Sequence, residues 1–176
     1  MRPLAGPSGV SPRLSTAADG TPGMYTAGAC AAGLGAFFPG ARLLYALNLG
    51  EDAPLGGTLT LTTCGHTANN TVLYVGTGCP SWALPFSCRA GNDDAAAAAA
   101  CAANARASTL AVTATQRVYY VQLGGFGGAP VTSGLAWAYA AAPSSSGSDT
   151  RSRTRSRSGS RTRSRSGSRS RSRKAK

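Results

Sequence analysis

Five cysteines, Cys30, Cys64, Cys79, Cys88 and Cys101, are the residues in this 176-residue chain whose type is most ready to do chemistry. Four of them crowd between positions 64 and 101, and no two stand in the Cys-x-x-Cys spacing of a zinc or thioredoxin-type site. His66 is the single histidine that could supplement them as a metal ligand. This pattern favours disulfides over a metal site and so an oxidising compartment. One cysteine is left over, and the spacing alone leaves the pairing open.

Catalysis has little to build on. His66 would have to serve any Ser-His-Asp or Cys-His arrangement, and it stands in a Gly-His-Thr turn with no nucleophile marked out nearby. The chain therefore reads as a non-enzyme. Asn92-Asp93-Asp94 places three oxygen-bearing side chains in a row, chemistry that suits calcium. Two carboxylates fall well short of a full calcium shell, and the same triplet suits a turn and helix N-cap, which is the reading taken here; calcium is the only cofactor the residues suggest. Asn69-Asn70-Thr71 is an N-x-T glycosylation sequon between two predicted strands, where a loop would expose Asn69. The run "LGGFGGAP" lacks the Lys-Ser/Thr of a phosphate loop and is expected to be a hairpin turn. Of the aromatic residues, Tyr74 and Trp137 suit a core, while Trp82 lies in a cysteine-flanked loop and could meet a ligand.

The remaining chemistry is in the tail. Residues 151–176 hold ten arginines and two lysines and no acid, which accounts for the whole formal charge of +12. The candidate polyanion contacts are Arg151, Arg153, Arg155, Arg157, Arg161, Arg163, Arg165, Arg169, Arg171 and Arg173. Residues 1–150 carry six arginines and six acids, and no lysine. Such a tail has too little apolar surface to order itself and would attract any polyanion: acidic polysaccharide, matrix glycoprotein, or nucleic acid without sequence preference. No aromatic residue is interleaved for base stacking. The alternation resembles the RS segments of splicing factors, whose serines are kinase substrates. Ser152, Ser156, Ser158, Ser164, Ser166, Ser170 and Ser172 are the matching positions, and phosphorylation there would cancel or reverse the charge.

The elements that must position these residues are short strands. "ARLLYALNLG" sets Leu43, Tyr45, Leu47 and Leu49 on one face. "TLTLTT" alternates Leu59 and Leu61 with threonines, "TVLYV" is β-branched and aromatic, "STLAVTA" pairs Leu110 with Val112, and "GLAWAY" aligns Leu135, Trp137 and Tyr139. With "RVYYVQL" apolar on both faces, this period-two pattern predicts an all-β fold, an antiparallel jelly-roll-like sandwich. The alanine run after Asp94 suggests one or two helical turns. Pro, Gly and Ser make residues 1–23 read as a disordered leader, 24–142 as the sandwich domain, 143–150 as a linker and 151–176 as a disordered tail. Residues 29–47 are apolar but broken by Pro39, Gly40 and Arg42, so no transmembrane span is expected. The first twenty residues lack the apolar stretch of a secretory signal.

The core from "TCGHTANNTVLYVGTGCPSWALPFSCRAGNDD" through "ASTLAVTATQRVYYVQLGGFGGAPVTSGLAWAY" resembles the pre-peptidase C-terminal type of extracellular β-sandwich, a jelly-roll relative of CUB domains. The likeness runs from about Leu43 to Tyr139, with cysteines and strands in matching order. Asn70 stands where that family has Asp, which weakens an ion-binding role at that corner, and the alanine run is longer than the family's spacing. The resemblance implies a non-catalytic adhesion or binding module, extracellular or wall-associated. It also implies disulfides Cys79–Cys88 and Cys64–Cys101, leaving Cys30 free or intermolecular. The competing reading is an intracellular, nuclear RS-tail protein that meets RNA or splicing-type partners under phosphorylation control.

Overall fold

The computed structural model describes residues 1–22, 30, 32–33, 40–79, 86–94, 101 and 104–143. The chain divides into a compact unit, Met1–Ser144, and a second stretch, Ser145–Lys176. The tail with its arginines and serines, Trp82 and most of the alanine run lie outside the described residues.

The unit is all-β. Its elements in order are β1 (Arg2–Ala5), β2 (Ser8–Val10), β3 (Leu14–Ser15), a one-turn helix α1 (Thr16–Asp19), β4 (Thr21–Pro22), β5 (Ala32–Gly33), β6 (Ala41–Asn48), β7 (Thr58–Thr62), β8 (Thr71–Thr77), β9 (Ser87–Asn92), β10 (Thr109–Thr113), β11 (Val118–Gly125), β12 (Thr132–Ser133) and β13 (Ala136–Ala140). One sheet runs β1-β6-β11-β8-β9-β5, with β4 also on β6; a second, smaller one runs β10-β7-β13-β2, and β12 pairs with β3 in a two-stranded third. The long strands pair antiparallel, and the chain moves between the two larger sheets at β1 to β2, β6 to β7, β7 to β8, β9 to β10, β10 to β11 and, through β12, β11 to β13.

Alternation explains why the sheets face one another. From the larger sheet, Leu43, Tyr45, Leu47, Leu73, Val75, Tyr119, Val121 and Leu123 point into a common core. The smaller sheet answers with cross-strand rungs: Leu61 stands between Leu110 and Trp137, and Leu59 between Val112 and Tyr139. Each such side chain withdrawn from water contributes about 1.5–3 kcal/mol. The faces expected from the sequence are the ones buried.

β8 is buried on both sides, which is why it has no polar alternation. Val72 and Tyr74 turn away from the main core into a second cluster with Phe86, beside Cys30, Cys88 and Tyr120. Arg42 lies on this outer face, 1 % exposed, with its guanidinium carbon 4.8 Å from the centre of the Tyr74 ring. The ring's negative face suits that cation, and the contact strengthens when water is excluded.

Two expectations change. Residues 1–22 are part of the fold instead of a disordered leader. β1 pairs in parallel with β6 from Arg2↔Tyr45 to Ala5↔Asn48, and β2 pairs with β13. Trp137 Nε1 donates to the Gly6 carbonyl at 3.1 Å. Gly9 lies flat under the Trp137 indole, where a Cβ would come within 2.4 Å of the ring. Small residues there permit close packing, and backbone pairing is indifferent to side-chain polarity. "LGGFGGAP" is not a hairpin turn either. β11 ends at Gly125, a 3-10 turn spans Phe126–Gly128, and β12 then pairs with β3, so the run carries the chain between sheets. Gly125 has no room for a side chain, since a Cβ would lie 2.0 Å from the Ala129 carbonyl oxygen.

The β10–β11 turn is held by one buried phenol. Tyr119 Oη accepts from Thr115 N at 2.7 Å and Gln116 N at 3.3 Å. Tyr119→Phe strips both amides of this acceptor while keeping the ring, so it should lower unfolding free energy by about 1–3 kcal/mol in urea titrations. An unchanged midpoint would show that water replaces the phenol without loss.

Candidate functional site

The two disulfides are the chemistry the fold assembles most plainly. Cys64, two residues past β7, is bridged to Cys101, with their Cα atoms 4.9 Å apart. This is the pair carried over from the family pattern. Cys88 is bridged to Cys30, Cα atoms 4.7 Å apart, and Cys79 is free. The expected Cys79–Cys88 pair is therefore corrected, and the register gives the reason. β8 and β9 place Cys88 opposite Gly76, three residues before Cys79. At about 3.3 Å of rise per residue, that offset exceeds the Cα separation a disulfide tolerates. β5 runs parallel to β9 with Ala32↔Ala90, which carries Cys30, two residues earlier, alongside Cys88.

The second assembly is a buried hydroxyl corner beside Cys64. Thr63, Thr71 and Ser108 are all fully buried. Ser108 N donates to Thr63 Oγ1 at 2.9 Å and Thr71 Oγ1 at 3.0 Å, and the two threonine hydroxyls are 2.7 Å apart. Ser108 Oγ reaches the carbonyls of Thr71 and Asp93. Around it, Thr62 Oγ1 meets Thr109 Oγ1 at 2.6 Å, and Thr109 Oγ1 lies 3.0 Å from Cys64 Sγ. These contacts tie β7, β8, β10 and the end of β9 into one joint.

The Asn92-Asp93-Asp94 triplet belongs to this joint. Asn92 Oδ1 accepts from Thr109 N at 3.3 Å, and the Asp93 carbonyl accepts from Ser108 Oγ at 2.9 Å. One of the three side-chain oxygens a cation would use, Asn92 Oδ1, is thus engaged in holding β10. Burial raises the Asp93 carboxyl above its ordinary pKa, and the Asp94 charge and hydrogen bond add to the rise. Asn69 is exposed: Thr67 Oγ1 holds its backbone N–H at 3.0 Å, and its Oδ1 accepts from Thr132 N at 3.1 Å. Asn104 Nδ2 donates to the Asn69 carbonyl at 3.0 Å.

His66 stands at the opposite side of the same turn. Its backbone N–H donates to the Thr63 carbonyl, and its carbonyl receives Gly134 N. A Cβ added at Gly134 would lie 3.4 Å from the His66 Cβ. Tyr74 and Trp137 are core residues, as read from the sequence. A cleft of about 490 Å³ lies elsewhere on the unit, between Gly6, Pro7, the turn 49–54, Tyr139 and Ala141. Tyr139 Oη donates to the Pro54 carbonyl, which fixes the ring at the cleft wall, and Glu51 and Asp52 are exposed at its rim. Nothing in the sequence marks this cleft, because its walls come from three distant segments. Among the described residues no group of three His, Cys, Asp or Glu side chains is placed to hold a metal, and no helix is long and apolar enough to cross a membrane. The polyanion arginines and phosphorylation serines lie outside the described residues.

No family model, curated protein or solved structure matches the chain.

The triplet can be tested through its charge. A carboxyl with a raised folded pKa binds its proton more tightly folded than unfolded. The folded state therefore loses stability as pH climbs from the unfolded value through the folded one. Asp93→Asn removes that loss and should raise the melting temperature at neutral pH, the gain disappearing in acid. A melting temperature that instead depends on calcium and falls with the substitution would make the turn a cation site.

Proposed function

We propose that this chain is a non-catalytic, extracellular or wall-associated binding module of the pre-peptidase C-terminal, jelly-roll-like type, anchored by its basic tail to acidic polysaccharide or matrix glycoprotein. The observation that carries the reading is the pairing of a charge-neutral body with a tail of +12. Polyanion affinity then belongs to the tail. The sandwich, with Glu51 and Asp52 at its cleft, repels acidic polymers there and is left to a neutral or cationic ligand. Two disulfides within a unit of this size support an oxidising compartment, where such bonds persist. Nucleic acid of any sequence would bind the tail in the same salt-sensitive way.

The alternation of arginine and serine favours a second reading, an intracellular RS-tail protein switched by phosphorylation. The thiols decide between them. Peptide mapping of native protein without reduction should return Cys30–Cys88 and Cys64–Cys101 linked and Cys79 open to alkylation. Five free thiols would remove the extracellular reading.

Binding tests the anchor. Full-length protein should bind heparin, acidic glycans and unrelated RNAs with similar strength, weakening steeply as salt rises because released counterions drive association. Protein ending at Ala142 should lose this binding while keeping its melting temperature. Tight, sequence-selective RNA binding that persists at high salt would overturn the proposal in favour of the nuclear one.

A further inference from the structure

Thr71 is asked to do two things that cannot happen together. In the sequon Asn69-Asn70-Thr71 its hydroxyl is the group a glycosyl transferase reads. In the fold that hydroxyl is fully buried, 2.7 Å from Thr63 Oγ1, 3.2 Å from Ser108 Oγ and accepting from Ser108 N at 3.0 Å. Asn69 shows the opposite character. It is exposed, and its Nδ2 makes no hydrogen bond among the described residues. The acceptor atom is in the open while the recognition atom is sealed in the joint between the sheets.

We infer that Asn69 is an N-glycosylation site usable only before β8 docks and the hydroxyl corner closes, so that folding itself shuts the site. The inference rests on the extracellular reading only for where it operates in the cell. In the transfer, Asn69 Nδ2 attacks C1 of an oligosaccharide carried on a lipid diphosphate. The N–C1 bond forms, the C1–O bond breaks with its electron pair leaving on the lipid diphosphate, and Nδ2 gives up one proton to a base; nothing is oxidised or reduced.

The finished fold accepts the product. The glycosylated side chain is still an amide, so Oδ1 keeps its 3.1 Å bond from Thr132 N while the sugar leaves from the exposed nitrogen. The Asn69 backbone N–H donates to Thr67 Oγ1 and its carbonyl accepts from Asn104 Nδ2, so neither bond uses an Asn69 side-chain atom. Folding after transfer is therefore unhindered, whereas transfer after folding requires Thr71 to leave the core. Closure of Cys64–Cys101, which clamps one end of the β7–β8 turn to the segment before Ser108, makes that departure harder.

The test uses full-length chain with purified oligosaccharyltransferase and its lipid-diphosphate donor, and needs no assumption about the native compartment. Reduced, unfolded chain should be modified at Asn69. Oxidised, folded chain should be modified at least about tenfold more slowly, because a core hydroxyl is exposed only by opening of the surrounding structure. Asn69→Gln should abolish modification in both states. Thr71→Ser should keep both the sequon and the buried hydroxyl, and so preserve the contrast between states. Equal modification of folded and unfolded chains would overturn the gating, and no modification of the unfolded chain would overturn the site. Free thiols in native protein would undo the extracellular reading while leaving this contrast in place.

Discussion

Burying Thr63, Thr71 and Ser108 between two sheets would be strongly destabilising if any of their hydroxyls or the Ser108 amide were left without a partner, since each such group costs about 1–3 kcal/mol. The chain meets this constraint by closing the groups on one another and on three carbonyls. The consequence spreads outward. Thr63 follows β7, Thr71 begins β8, and Ser108 precedes β10, so a single satisfied cluster fixes the crossings from β7 to β8 and from β9 to β10. The Cys64–Cys101 bridge lies against the same cluster through Thr109, and Asn92 reaches it from β9. A partly satisfied network of this kind is worse than an apolar one, so its members stand or fall together.

The other organising feature is the separation of two layers about the larger sheet. One face packs on the smaller sheet. The other holds Tyr74, Val72 and Phe86 with the Cys30–Cys88 bridge, and keeps the Arg42 guanidinium over an aromatic ring away from water. A body that stores one of its six cations internally presents still less positive charge to solvent than its composition suggests. That sharpens the contrast with the tail.

The long strands were legible because a half-buried strand must alternate: Leu43, Tyr45 and Leu47, or Leu59 and Leu61, have no other economical explanation. The buried character of Tyr74 and Trp137 followed from the same pattern. Arg2–Ala5 and Ser8–Val10 were not legible, because edge strands are held by backbone groups that every sequence possesses and Gly9 is small for packing reasons. The Cys30–Cys88 pair was hidden because it depends on a parallel register between two-residue β5 and β9, and sequence spacing carries no register. Calcium stayed open as an alternative to the turn at Asn92 because its amide oxygen is uncommitted in the sequence; only the position of Thr109 N commits it. The cleft could not be foreseen for a similar reason, since Pro7, Asp52 and Tyr139 meet only in three dimensions.

The pairing of β2 with β13 has a mechanical consequence. Ser8 lies opposite Ala138 and Val10 opposite Ala136, so the start of one strand adjoins the end of the other. Tension applied at Ser8 and Ala138 pulls across the ladder, and hydrogen bonds perpendicular to the strands are then loaded one rung at a time. Strands pulled along their length would instead share the load among all their rungs at once. The β2–β13 seam is thus loaded as a zipper, while Cys30–Cys88 and Cys64–Cys101 limit the extension of the residues they enclose. Under load, residues 30–101 could lengthen only as far as these covalent links allow.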